Sequence, residues 1–386
     1  MAKIRIGIIG LGNIGKVHKN CLQKLAGAKI TAVCDVRDET VNTVAGELKA
    51  EGFNDYKKLC QSKLCDLAVV ATDHFRHFPI TMEALKNNLH VFCEKPITVR
   101  IADAKLMVAA AKKKRRMLAI NYLMRHRPEY VKIREIVKGG KIGKVLRGNF
   151  TCTEWFRNMA YYRSSDWRGT WKGEGGGLLL NQLPHDLDFI YWLLGEPKTI
   201  TGMARTLGHD IEVEDDVSCR LDYANGCEFS FQSNTWEAPG TTYMYLTGDK
   251  GALSFTGDKI ADTTEIKMVQ YPKPLKQYIE AKDMQMFAPK TAQWKPVKVA
   301  KSTNWLPDTW KGVLGYLQGG KNAEKHALQL CLGEESLGSL RIANGTLFSA
   351  IEGKTIPFNF CTRRFNCLLD DLTSGKKKLP RGKLAL

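Results

Sequence analysis

Between Lys3 and about Gly140, short apolar runs alternate with stretches whose apolar positions recur at helical spacing. Ile4 to Ile9, Ile30 to Asp35, Leu67 to Ala71, His90 to Cys93 and Met117 to Asn121 read as strands, with helices such as Ile80 to Lys86 and Ile101 to Lys113 between them. Continuous apolar strands separated by helices predict a parallel sheet covered on both faces. After Gly143 the texture changes: Lys144 to Thr153, Val217 to Leu221, Cys227 to Ser233 and Tyr243 to Leu246 alternate apolar and polar residues, the pattern of strands with one buried face. Asn225-Gly226 and Gly248-Asp249 are hairpin-turn dipeptides. The expected fold class is α/β plus α+β. Residues 1–122 form a doubly wound domain, and residues 123–386 a domain built on a mostly antiparallel sheet open on one face. The texture shifts across residues 122–145, and a late helix, Glu334 to Ala350, is expected to pack back on the first domain.

The length of 386 residues suits two such domains. Met1 to Arg5 leads straight into a strand pattern without the features of a secretory signal, and no apolar run approaches a membrane span; a cytoplasmic protein with no membrane partner is expected. The eleven cysteines are scattered, odd in number and without a C-x-x-C pair. They read as reduced thiols, mostly small buried hydrophobes, rather than as disulfides or zinc ligands. The 58 basic residues against 40 acids give a net charge of +18, which suits either nucleic acid or phosphorylated and acidic small molecules. The densest run, Lys112 to Arg116, ends an alanine-rich helical pattern and reads as a solvated helix C-terminus. Lys376 to Lys378 and Arg381 to Lys383 read as a frayed tail. No aromatic-interleaved basic motif is present, so no nucleic-acid partner is expected.

Candidate chemistry begins at Gly10-Leu11-Gly12-Asn13-Ile14-Gly15, a G-x-G-x-x-G pattern directly after a strand and opening a helix. The first glycine permits a tight turn, the second lets a pyrophosphate approach the backbone, and the third lets helix and strand pack closely. Asp35 closes the second strand 20 residues after Gly15, where an acid accepts hydrogen bonds from an adenosine ribose and repels a 2'-phosphate; NAD is expected over NADP. Asp35 is also placed to cap the following helix. Arg37 is suited to stack on adenine or receive a phosphate.

Cys93-Glu94-Lys95-Pro96 ends a strand whose C-terminal edge faces the cofactor crevice of such a sheet. A lysine aimed there would hold the reacting oxygen beside a nicotinamide; taken alone it reads more readily as a surface lysine before a turn proline. The surrounding residues decide. Val70 to His77, Ala84-Leu85 and His90 to Pro96 resemble the second half of the dinucleotide (Rossmann) domain of the Gfo/Idh/MocA family of glucose-fructose oxidoreductase, inositol dehydrogenase and rhizopine-catabolism proteins. Ile142 to Val145, Gly175 to Asn181, Val213 to Val217 and Gly248 to Gly251 are similar to its later landmarks. The resemblance implies an NAD-dependent oxidoreductase acting on CH–OH, with cofactor contacts from Gly10, Gly12, Asn13, Ile14, Gly15, Asp35, Arg37, Thr72, His77, Glu94 and Lys95. Family members usually carry proline then asparagine where this chain has Asp73-His74.

Asn181-Gln182-Leu183-Pro184-His185 enters a helix whose expected buried face is Leu187, Ile190, Tyr191 and Leu194. Asn181 and His185 share one face if the turn between them is helical. The histidine has a pKa suited to moving the hydroxyl proton, although a lone histidine at a helix start is often a cap or core residue. The family usually places aspartate at 181. Asparagine accepts no proton, so the resemblance leaves acid–base work to His185 and Lys95, with Asn181 orienting hydroxyls, as in a branch that oxidises sugars and glycosides. Trp155 to Arg157, Tyr161 to Arg163 and Asp166 to Trp171 gather aromatics and arginines suited to a sugar ring, or to an oligomer surface. By resemblance, Trp167 and Arg168 lie at the nicotinamide side, and Arg157 and Tyr162 nearer the substrate. His74 and His77 lack a third ligand in sequence range, so no metal is expected.

The leading expectation is interconversion of a secondary hydroxyl and a ketone on a sugar, glycoside or cyclitol. One alternative recycles tightly bound NAD in a net redox-neutral elimination or transfer. Another is a non-catalytic nucleotide-binding sensor. The exposed antiparallel face suggests a homodimer or homotetramer.

Overall fold

A computed structural model describes residues 2–258, 263–280, 282, 292–300, 305–319 and 327–382. Lys383 of the basic tail lies outside the described residues. Six parallel strands run through the first part: β1 (Ile4–Ile9), β2 (Ala28–Cys34), β3 (Glu51–Phe53), β4 (Leu67–Val70), β5 (His90–Cys93) and β6 (Leu118–Ile120). The order is β6-β5-β4-β1-β2-β3, with Cys331–Leu332 added antiparallel beside β6. Ile6, Ile8, Leu67, Val69, Val91 and Phe92 are all buried, as a sheet covered on both faces requires. The order reverses between β1 and β4, and the crevice at their carboxyl ends is where such sheets bind ligands. The helix Ile101–Lys114 carries three lysines in its last turn and ends on Arg115 in the left-handed region, so the densest basic run is a helix C-terminus.

The second sheet contains β7 (Val145–Cys152), β8 (Thr199–Arg205), β9 (Asp216–Asp222), β10 (Glu228–Asn234), β11 (Thr242–Gly248), β12 (Gly251–Asp258) and β13 (Thr263–Gln270). Its order is β13-β12-β11-β7-β10-β9-β8, with two-residue strands at both edges. Every pairing is antiparallel except β7 with β10. Burial alternates along β7 and β11: Phe150, Met244 and Leu246 point inward, while Arg147 and Asn149 are exposed.

The helix Ser336–Glu352 was expected to lie on the first domain. It touches that domain where Asn344 donates to Val99 O (3.1 Å) and Ser339 meets the Tyr122 hydroxyl (2.6 Å). Its main seat is β8, which its backbone approaches so closely that a Cβ on Gly202 would meet Thr346 O. The element that returns to cover the first sheet is Trp305–Gln318, whose Trp310, Val313 and Leu314 share a core with Ile6, Ile8, Leu22 and Phe92. A buried ion pair ties the parts together. Arg125 grips Asp188 through two bonds of 2.8 Å and also reaches Glu335 (2.5 Å) and Leu330 O (3.2 Å). All eleven cysteines are free thiols, eight of them buried. Among the described residues, no helix is long and apolar enough to cross a membrane.

Candidate active site

The glycine loop divides its labour as the spacing implies. Gly10 has φ +96°, and a Cβ there would strike Ala71 O, while one on Gly15 would strike Gly10 O. Gly12 has nothing within 4 Å of its Cβ position, which leaves room for a bulky anion at the N-terminus of the helix Asn13–Leu22. No side chain caps that helix, so its first amides and its dipole face the crevice. Asp35 lies just beyond β2 and accepts from Leu11 N (2.8 Å) and from Arg37 through N, Nε and Nη2 (3.1, 2.9 and 3.2 Å). It does not cap the following helix, which has Arg37 at its N-cap and no side-chain cap. Burial works to raise the Asp35 pKa, but these donors outweigh it and hold the carboxyl below its ordinary value. With its lone pairs engaged, Asp35 takes a ribose hydroxyl only when the 60% exposed Arg37 side chain releases a bond.

At the end of β5 a chain of buried groups fixes the lysine. Trp310 Nε1 donates to His18 Nδ1 (3.1 Å), and His18 Nε2 lies 2.7 Å from Glu94 Oε1. An indole only donates, so His18 is the Nε2–H tautomer and donates to Glu94. Asn121 Nδ2 gives Glu94 a second bond (2.7 Å). Burial opposes ionisation of Glu94, yet the bonds from His18 and Asn121 and the Lys95 charge bring its pKa to about 2. Lys95 follows a carboxylate held rigidly in place, and its Nζ donates to Asn181 O at 2.5 Å. It is no surface lysine: burial lowers its pKa, against the opposing charges of Glu94 and Glu174. The Lys95–Pro96 peptide is cis.

The segment of Asn181 and His185 is built on another buried acid. Glu214 Oε1 accepts from Gly177 N (2.9 Å) and Leu179 N (3.0 Å), which sets the start of the turn Leu178–Asn181. Desolvation pushes the Glu214 pKa to about 7. Asn181 ends that turn, and His185 is the second residue of the helix Pro184–Leu194. The His185 ring stands edge-on to Tyr122 at 6.1 Å. Leu187 and Ile190 are buried on that helix as expected, but Tyr191 and Leu194 are half-buried; Phe189, Trp192 and Leu193 complete the covered surface.

A cleft of about 1110 Å³ runs from Gly10, Gly12, Asn13 and Ile14 past Asp35, Arg37, Thr72 and Glu94 to Lys95, Trp167, Arg168 and Asn181. Gly15 lies beneath its floor. His185 is not among the residues that line this cleft, and three further sequence-derived placements differ. His77 is buried, its Nδ1 2.8 Å from Pro96 O and its Nε2 3.2 Å from Thr72 O, so it braces the Thr72 and Pro96 loops instead of facing a cofactor. Tyr162 is buried with its hydroxyl on Thr235 (3.1 Å). Its neighbour Tyr161 lines the cleft, accepting from Arg168 (2.5 Å) and Gln182 (3.3 Å). Arg157 bonds to Phe156 O (2.7 Å) and stacks over Tyr161 (4.9 Å); its charge reaches Lys95 and helps lower that group's pKa. Arg157 O meets His209 Nε2 (2.7 Å), and His209 Nδ1 meets Asp215 (2.8 Å). Both partners accept, which favours the charged form of His209 and raises its pKa.

Residues that spacing alone did not reveal are His18, Trp310 and Glu174. His74 and His77 both meet backbone oxygens, and the described residues include no group of three or more histidine, cysteine, aspartate or glutamate side chains able to hold a metal. Where relatives carry proline and asparagine, Asp73 caps the turn His74–Arg76 and His74 Nδ1 donates to Glu174 O (3.0 Å), tying this loop to the second part of the chain. An uncapped helix N-terminus, an open Gly12 and an acid at the ribose position fit NAD.

Comparison with known proteins agrees. A family model described as "Oxidoreductase family, NAD-binding Rossmann fold" matches residues 4–122, and the "GFO/IDH/MocA C-terminal domain" matches 130–254. The chain is similar to inositol 2-dehydrogenase of Salmonella typhimurium, 26% identical over 266 residues that cover 61% of this chain and 74% of the relative. It is 28% identical over 268 residues to 2,7-anhydro-N-acetylneuraminate hydratase of Escherichia coli, covering 68% and 70%. The crystal structure of the WlbA dehydrogenase from Bordetella pertussis in complex with NADH and UDP-GlcNAcA superposes with a TM-score of 0.76 at 23% identity, covering 93% of this chain and all of that one. The two family models together match more than half of the sequence, and the chain belongs to the Gfo/Idh/MocA family of NAD-binding oxidoreductases.

Proposed function

We propose that the protein interconverts a secondary hydroxyl and a ketone on a sugar, glycoside or cyclitol. The observation that carries this reading is the bond from Lys95 Nζ to Asn181 O, which brings a lysine of lowered pKa to the far end of the cleft that begins at the glycine loop. NAD bound along that cleft supplies the hydride acceptor. The Lys95 ammonium donates to the reacting oxygen and stabilises the charge that develops on it. His185 takes the hydroxyl proton, Asn181 orients neighbouring hydroxyls, and the face of Trp167 away from Arg168 gives a sugar ring apolar contact, while Tyr161 is stacked by Arg157 and Arg168. Arg157, stacked on Tyr161, is assigned to the substrate through its charge.

Lys95→Ala is expected to reduce kcat about 1,000-fold while leaving NAD affinity, read by quenching of protein fluorescence, nearly unchanged. Retention of full turnover on the best polyol found by screening inositols, free sugars and aryl glycosides would sink the assignment. Similarity to a relative named as a hydratase favours a second reading, in which NAD is recycled in place and the net reaction is redox-neutral. NAD that copurifies with the protein, with turnover that needs no added cofactor, selects it. Membership of an oxidoreductase family sets the nucleotide-binding sensor aside.

A further inference from the structure

Glu174 ends the short turn Trp171–Glu174 and is 1% exposed. Its Oε2 accepts from Gly169 N (2.8 Å), and its Oε1 takes a short bond from Asn181 Nδ2. Among the described residues no lysine or arginine reaches it within 4.0 Å. The charged and titratable groups that face it are Lys95 and Arg168 from the cleft, Glu214 from beneath the Gly177 turn, Tyr162, and His74, which binds its backbone oxygen. Nothing in the mechanism above uses this carboxyl. Yet it touches the one amide in the cleft that lies beside Lys95.

An asparagine amide has two orientations, and its neighbours decide between them. An ionised carboxylate only accepts, so it holds the Asn181 Nδ2 toward itself. Oδ1 is then turned the other way, toward the cleft that Asn181 lines. We propose that Glu174 is a positioning residue that locks the Asn181 side chain with its oxygen toward the substrate, so that the site selects a donor hydroxyl next to the carbon being oxidised. The substrate class is thereby narrowed to vicinal diols. This rests on the reading of the cleft as a hydroxyl-oxidising site.

The lock depends on ionisation. Burial pushes the Glu174 carboxyl up to about 7, although the bonds from Gly169 and Asn181 and the charges of Arg168 and Lys95 work against it. Below that value the protonated carboxyl becomes a donor, both amide orientations are satisfied, and KM for the diol rises as pH falls.

Two arms test the proposal. In steady-state kinetics, Glu174→Gln raises KM about tenfold or more with a smaller change in kcat, and removes the pH dependence of KM near neutrality. Asn181→Asp alone sets two carboxyls together and moves that dependence to higher pH. The double variant Glu174→Gln with Asn181→Asp, which moves the acceptor by one bond, recovers KM. A purely structural glutamate predicts no such recovery, and a wild-type KM profile in Glu174→Gln overturns the proposal. The second arm needs no turnover. Infrared difference spectra of the NAD-bound protein across neutral pH show protonated-carboxyl bands from Glu174 and Glu214, and the Glu174 component alone is lost in Glu174→Gln. If no polyol is oxidised, the functional reading falls, and absence of the Glu174 component overturns the present proposal independently.

Discussion

At the glycine-loop end of the cleft the site is made of backbone, and at the Lys95 end it is made of side chains that meet across long stretches of sequence. Gly10, Gly12 and Gly15 act through where a Cβ does or does not fit, and the backbone atoms that Gly10 and Gly15 would strike, Ala71 O and Gly10 O, lie just past the ends of β4 and β1. Lys95 meets Asn181 across 86 residues, and His18 meets Trp310 across 292. The first kind of site tolerates change everywhere except at a few contacts. The second depends on the packing that delivers each side chain, so damage far from the cleft reaches it.

Three substitutions sharpen or break this contrast. The largest effect is expected at Arg125, which is remote from the glycine loop but anchors the helix of His185 through Asp188. Arg125→Met leaves Asp188 buried and unpaired, which costs about 3 to 5 kcal/mol, measured by urea unfolding. Catalysis should fall further than NAD affinity, and a loss below about 1 kcal/mol contradicts the anchoring role. Next come two glycines of one motif. Gly15→Ala forces a Cβ against Gly10 O and should lower stability by about 1 to 3 kcal/mol, with loss of NAD binding. Gly12→Ala meets nothing in the protein, so it should keep the wild-type Tm and weaken NAD about tenfold, or about 1.4 kcal/mol. Identical behaviour of the two erases the distinction between packed and open glycines.

The smallest effect is a pH dependence at the Arg157 loop. Burial alone lowers the His209 pKa, but its bonds to Asp215 and Arg157 O outweigh that and hold it above the ordinary value. A raised folded pKa contributes stability that is complete below the unfolded value of about 6.5 and is lost as pH rises through the folded one. Thermal melts should therefore show an alkaline loss on the order of 1 kcal/mol or less, absent in His209→Gln. An unchanged alkaline loss in that variant shows that the Arg157 loop is held by something else.

The same contrast governs what was legible beforehand. The apolar runs of β1, β2, β4, β5 and β6 and the alternation of β7, β9, β10 and β11 stand out because burial writes a period into the sequence. β3 and the strand Cys331–Leu332 are too short for any period, and β8, with Gly202 under a helix, carries small residues where a strand pattern needs large ones. In the site, the glycine loop and Asp35 were readable because their spacing is local. Glu174 was not, because no helical or strand period joins it to Asn181 seven residues on: two separate short turns with a left-handed Gly175 between them bring the pair together. Tyr162 was placed at the substrate and Tyr161 only within the aromatic cluster, since adjacent residues of a helical turn point about 100° apart and the sequence does not say which faces the cleft.

Trp310 bears on how this chain can be divided. Its indole lies against Phe92 at 4.5 Å and edge-on to His18, to which it donates, although it is encoded after most of the second sheet. A fragment ending near residue 122 would expose Phe92 and Leu22 to water and leave the imidazole free to change tautomer. The two halves of this enzyme are not interchangeable cassettes, and a chimera that borrows the dinucleotide half from a relative must borrow the helix Trp305–Gln318 along with it.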